Sequence, residues 1–108
     1  MYERGRVYLS CHLAGFAHWD GIEAFNELAV GVRLSLRAEP DNPYDPEAVA
    51  MYYADRKIGY LPRKHAGRFF QLLYYGHVNL FEAFVNRISP DNYPEGQIGI
   101  VVKVRDAR

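Results

Sequence analysis

Residues 39–63 read EPDNPYDPEAVAMYYADRKIGYLPR, an acidic, proline-bracketed loop that runs into two short β-type stretches. The second half decides the fold. Ala48–Tyr53 and residues 57–61 are rich in aliphatic and aromatic residues and are separated only by Ala54, Asp55 and Arg56, so they read as a hairpin. Pro62 then stands where a helix can begin, because its fixed φ suits a first turn and its missing N–H costs nothing there. Ala66, Phe69, Phe70 and Leu73 follow at i, i+3, i+4 and i+7, the apolar stripe of a helix. Gly76 stands where a left-handed cap would end it.

Toward the N-terminus, residues 6–14 alternate, with Val7, Leu9, Cys11 and Leu13 on one side, which predicts a half-buried strand. Residues 22–28 can make a short helix with Ile22, Phe25 and Leu28 or Ala29 inward. Val32, Leu34 and Leu36 predict a second strand that stops at Pro40, which has no N–H for a ladder. Toward the C-terminus, residues 78–88 form a long β-type run whose phase is open between Phe81, Ala83, Val85 and Leu80, Phe84, Ile88. A turn-rich loop spans residues 89–96, and residues 97–105 alternate cleanly through Ile98, Ile100, Val102 and Val104. About six strands, one main helix and a short second helix make an α+β chain. Closure into a small barrel is the natural way to protect the strand edges. A single domain over residues 1–108 is expected.

Composition narrows the function classes. A hydrophobic fraction of 49% with 24% charged residues excludes a disordered tail, a collagen-like chain and a coiled coil. Cys11 is the only cysteine, so no internal disulfide, zinc ribbon or thioredoxin motif can form, and a reducing, cytoplasmic setting is expected. No apolar run reaches signal-peptide length or the roughly 20 residues that cross a bilayer. His12, His18, His65 and His77 lack metal-ligand spacing, and no P-loop, dinucleotide or nucleophile-elbow pattern occurs. The expectation is a binding module without metal, cofactor or catalysis.

Net charge is zero, so no global basic field announces a nonspecific nucleic-acid binder. The charges are nonetheless segregated. Glu39, Asp41, Asp45 and Glu47 occupy one block with no base, whereas Arg56, Lys57, Arg63, Lys64 and Arg68 occupy the next against one acid. The bland reading of each block is a solvated face.

In the loop, Asn42 and Asp45 are residues that bond their own backbone two or three positions on, and Pro43 and Pro46 fix φ. A rigid pair of turns is predicted, with Asp45 also able to cap a single helical turn before the hairpin. Such a loop holds Tyr44 at little entropic cost, either as a lid over the core or as an outward platform.

The run from Glu39 to Ala50, followed by Lys57-Ile58-Gly59-Tyr60-Leu61-Pro62-Arg63, resembles the signature of the HIRAN family. Ala14-Gly15-Phe16, Trp19-Asp20-Gly21 and the helix up to Gly76 fall where that family also has them. The resemblance implies an OB-like β-barrel that, in eukaryotic DNA-remodelling helicases, grips the 3′-hydroxyl end of single-stranded DNA. It implies that Tyr44 stacks on the terminal base, that Asp45 accepts a hydrogen bond from the 3′-hydroxyl and that Asn42 helps fix the end. Tyr60 and Arg63 would face phosphate, with Lys64, Arg68 and Tyr93 as further surface candidates. Where the eukaryotic relative has an arginine followed by a tyrosine, this chain has Ala17 and His18, with Trp19 beside them, so His18 is left to form the other half of a base sandwich. The implied partners are single-stranded DNA with a free 3′ end and a helicase or nuclease. A protein-interaction module on the same barrel is the rival expectation.

Overall fold

The computed structural model describes residues 5–15, 25–89 and 98–105. Six strands, β1 (Gly5–His12), β2 (Arg33–Glu39), β3 (Ala48–Tyr53), β4 (Arg56–Tyr60), β5 (Phe81–Ile88) and β6 (Ile98–Arg105), form a sheet in the order β1-β6-β5-β2-β3-β4. All pairings are antiparallel. One helix, α1 (Arg63–Tyr74), completes the expected α+β, OB-like architecture.

The sheet curls because β2 is shared between two partners. Its first residues, Arg33 and Leu34, pair with Phe84 and Ala83 of β5, and from Ser35 onward it pairs with β3. The two outer strands then approach each other. Beyond β1, Ala14 exchanges two backbone hydrogen bonds with Tyr60, at 2.9 and 2.8 Å. Gly59 makes this approach possible, since a Cβ there would lie 2.6 Å from the Ala14 carbonyl oxygen.

The core lies between the curled sheet and α1. Leu13, Val49, Met51, Ile58, Phe69, Val85, Ile98, Ile100 and Val102 are fully buried, and Phe69 meets Phe81 edge-to-face at 4.8 Å. The helix buries Ala66, Phe69, Phe70 and Leu73, the stripe its spacing predicts. It ends at Gly76, φ +95°, with the Gly76 N–H on the Leu73 carbonyl and the His77 N–H on the Leu72 carbonyl, two bonds that satisfy the last carbonyls.

Three local expectations change. Of residues 22–28, the described part forms only a 3-10 turn, Phe25–Glu27, with Leu28 buried and Ala29 exposed; Ile22 lies outside the described residues. One turn already brings Phe25 and Leu28 to the core, so more helix is not needed. Residues 78–80 also make a 3-10 turn, which leads the chain from the helix cap into β5. That settles the open phase: Phe81, Ala83 and Val85 are buried, while Phe84 and Ile88 are half-buried. Finally, no helical turn precedes β3. The Ala48 N–H bonds the Asp45 carbonyl at 3.1 Å and the Glu47 N–H bonds Asp45 Oδ1 at 3.0 Å, a simple turn that enters the strand directly. Among the described residues, no helix is long and apolar enough to cross a membrane, and no three His, Cys, Asp or Glu gather as a metal site.

Candidate nucleic-acid interface

The loop of residues 40–47 is rigid because one side chain organises it. Asn42 Oδ1 accepts the Tyr44 and Asp45 N–H groups at 2.8 and 3.0 Å, and its Nδ2 donates to Glu39 Oε1 at 3.0 Å and the Tyr60 hydroxyl at 3.2 Å. These four bonds use the full capacity of the amide. The loop backbone is therefore tied to the sheet, and Tyr44 projects from it with 86% of its surface exposed. The platform geometry is found rather than the lid.

Beneath the loop sits a network that alternation alone hides. The Tyr60 hydroxyl donates to Glu39 Oε1 at 2.6 Å and accepts from Lys57 Nζ at 3.1 Å, and Lys57 pairs with Glu39 at 2.5 Å. Lys57 and Tyr60 are three apart, so strict alternation puts them on opposite faces of β4. The register shift between Met51↔Gly59 and Tyr52↔Lys57 leaves Ile58 as an extra residue and turns both side chains to one face. Glu39 reaches them across β3 because Ala48 and Ala50 carry only methyl groups on that face.

Burial pushes the Glu39 carboxyl up, but hydrogen bonds from Lys57, Tyr60 and Asn42 and the Lys57 charge outweigh it and hold the group below its ordinary value of 4.5. Burial and the bond to Glu39 push Tyr60 above its ordinary 10.0; burial lowers Lys57, but its bonds to Glu39 and Tyr60 outweigh it and raise the group above 10.5. The Glu39 contribution is present above pH 4.5 and is lost as pH falls through its depressed value. The Lys57 and Tyr60 contributions are present below their ordinary values and are lost as pH rises through the raised ones. Urea midpoints measured across pH are expected to fall on both sides, and Glu39→Gln to flatten the acid limb; an unchanged acid slope in that variant refutes the assignment.

The two charge blocks are thus joined at Lys57–Glu39 and Arg63–Asp45, while Asp41, Glu47, Lys64 and Arg68 stay exposed. Lys57 pairs with Glu39, Arg56 with Glu27 at 2.6 Å, and Arg63 Nε lies 3.5 Å from Asp45 Oδ2. Arg63 also donates to the Tyr44 carbonyl. Tyr44, Asp45 and Arg63 therefore stand on one rim, together with Ala14, Asn42, Ala48, Tyr60 and Leu61, around a pocket of about 290 Å³. Its floor is largely apolar and its rim is charged, which suits a flat ring with a polar edge.

The first turn of α1 borders this rim and carries Arg63 and Lys64 with no acid. Cations at a helix N-terminus oppose its dipole, by about 0.3 to 1 kcal/mol each at exposed positions. Two bases placed where stability prefers acids concentrate positive potential beside the pocket. Lys64 is exposed, and its charge reaches half-buried Cys11, whose thiol is pushed up to about 11 by burial and only partly brought back by Lys64. That suits an inert, half-buried thiol. His18, with Ala17 and Trp19, and Tyr93 lie outside the described residues. The network partners Glu39 and Lys57 are what sequence reasoning missed; the signal was alanine at alternate positions of β3 between an acid on one neighbour and a base on the other.

A family profile described as the HIRAN domain matches residues 7–104, nearly the whole chain. The chain belongs to the HIRAN domain family. HIRAN domains are nucleic-acid-binding domains rather than catalytic ones. A crystal structure of a protein from Lactobacillus plantarum superposes with a TM-score of 0.76 at 18% identity, over 94% of this chain and 96% of that one. The crystal structure of the HIRAN domain of human HLTF superposes with a TM-score of 0.64 at 16% identity, over 95% of this chain and 81% of that one. At these identities the likeness is one of fold. No curated protein sequence matches the chain.

Proposed function

We propose that this HIRAN domain binds single-stranded DNA at a free 3′-hydroxyl end, without catalysis, in the service of replication, repair or recombination and alongside a helicase or nuclease. One observation carries the reading: a rigid loop holds Tyr44 almost fully exposed over an apolar pocket, with Asp45 and Arg63 on the same rim. The terminal base stacks on Tyr44, a sequence-tolerant contact because every base presents a π-face. Asp45 accepts from the 3′-hydroxyl, and Arg63 meets the adjoining phosphate. Asn42 and Tyr60 act one step back, the first shaping the loop and the second anchoring it to the sheet. The rival protein-interaction module is favoured by dispersed bases and by His18 and Tyr44 packed away; the 86% exposure of Tyr44 supports the end-binding reading instead.

The acid sets the preference for one end over another. A 3′-phosphate brings negative charge against Asp45, whereas a hydroxyl brings a donor, so the carboxylate penalises the wrong end. Fluorescence anisotropy with oligonucleotides ending in 3′-hydroxyl or 3′-phosphate tests this. The parent is expected to prefer the hydroxyl end. Asp45→Ala should weaken hydroxyl-ended binding about tenfold, on the order of one hydrogen bond to a charged acceptor, and tighten phosphate-ended binding. Equal affinity of the parent for both ends rejects end recognition.

A further inference from the structure

A second hollow lies on the outer face of β1, β6 and β5. It has a volume of about 380 Å³ and is lined by Ser10, Cys11, His12, Asn86, Arg87 and Gly99. Its making is visible in the register. His12 and Arg87 both stand opposite Gly99, one on each side of β6, so two side chains that can donate to an anion flank a residue with no side chain. Asn86 is the extra residue of a bulge between Val85↔Ile100 and Arg87↔Gly99. Its amide leans over Gly99 toward the Ser10 hydroxyl, at 3.4 Å. A Cβ on Gly99 would lie 2.9 Å from both Asn86 Oδ1 and Arg87 Cβ, so any side chain there would fill the hollow. Bulges re-aim side chains in this way, often next to functional sites. Among the described residues no carboxylate pairs with Arg87, in contrast to Arg56, Lys57 and Arg63.

The position of the hollow matters as much as its chemistry. Ala14 lines the Tyr44 pocket and His12 lines the hollow, two residues apart on one extended segment. Alternation puts both on the same face, about 7 Å apart. The Tyr44 pocket has room for one base, yet barrels of this class engage about 4 to 16 nucleotides of a single strand. A strand whose end occupies the pocket must leave it across neighbouring surface.

Resting on the 3′-end reading, we propose that the hollow over Gly99 is a second nucleic-acid subsite. It takes a backbone phosphate of a nucleotide upstream of the terminal one. Arg87 supplies the charge and planar donors, and His12, Ser10 and Asn86 supply further hydrogen bonds. Nothing in this arrangement reads base identity, so the contact is sequence-independent.

The test compares a dinucleotide with an oligonucleotide of about ten residues, both ending in 3′-hydroxyl, for the parent and Arg87→Ala. Arg87 is exposed, so the variant is expected to fold as the parent does. The longer strand should bind about five- to tenfold more weakly, with the salt slope reduced by roughly 0.7, while dinucleotide binding and the preference for a hydroxyl end stay as in the parent. A neutral methylphosphonate walked along the longer strand should reproduce the loss at one linkage, and at that linkage Arg87→Ala should add nothing further. Unchanged binding of the longer strand, equal loss for both ligands, or additive losses at every linkage overturns the proposal while a retained hydroxyl preference leaves the end reading standing. Absence of binding by the parent to either ligand overturns both.

Discussion

Tyr44→Ala is expected to weaken binding of a 3′-hydroxyl oligonucleotide by about 1 to 3 kcal/mol, roughly 5- to 150-fold, and to leave stability within about 0.5 kcal/mol of the parent. The separation follows from where the residue's two halves go. Its backbone is held by Asn42 Oδ1 and by Arg63, and neither contact uses the ring. The ring is 86% exposed and closes no part of the core, so truncation removes a platform without opening a cavity. Isothermal titration with the oligonucleotide and urea unfolding of the same samples check both halves. Phe should retain most of the affinity, since stacking needs the π-face and not the hydroxyl. A large loss of stability in Tyr44→Ala would mean that the ring supports the loop, and unchanged affinity would remove the base from this pocket.

The contrast between the ring and its setting shows what could be read from residues alone. The strands and the helix were legible because burial on one face writes itself as a period of two or 3.6, as in Ile98, Ile100 and Val102 or Ala66, Phe69, Phe70 and Leu73. The stiffness of the loop was legible too, because Asn42 and the prolines act locally. Tyr44 was ambiguous, since a loop tyrosine satisfies its chemistry equally well inward or outward. The charge blocks were opaque for a stronger reason. Whether Glu39 meets Lys57 depends on register across three strands and on one extra residue at Ile58, neither of which leaves a periodic trace. The hollow over Gly99 rests on another such bulge, at Asn86. In this chain the regular elements follow from periodicity, whereas both polar surfaces are set by its exceptions.

Closure of the barrel gives the second large expectation. Gly59→Ala should cost about 2 to 3 kcal/mol, which for a domain of this size lowers Tm by roughly 10 to 20 °C. The new methyl would lie 2.6 Å from the Ala14 carbonyl oxygen and 2.8 Å from Leu13 Cγ, and both belong to segments with little freedom to move. Leu13 is fully buried, and Ala14 holds Tyr60 through two backbone bonds. The strain can be relieved only by drawing Ala14 away from Tyr60. Both residues line the Tyr44 pocket, so the same movement should widen it and weaken oligonucleotide binding in protein that is still folded. Gly76→Ala separates this effect from general destabilisation. At Gly76 a Cβ meets nothing within 4 Å, so the cost is that of its φ of +95°, about 1 to 2 kcal/mol, and the helix end it caps lies away from the pocket. Thermal scans and anisotropy on both variants, with binding measured well below each Tm, should show stability falling in both and affinity falling only in Gly59→Ala. Equal affinities in the two would mean that the bridge between Ala14 and Tyr60 holds the barrel shut but does not shape the site.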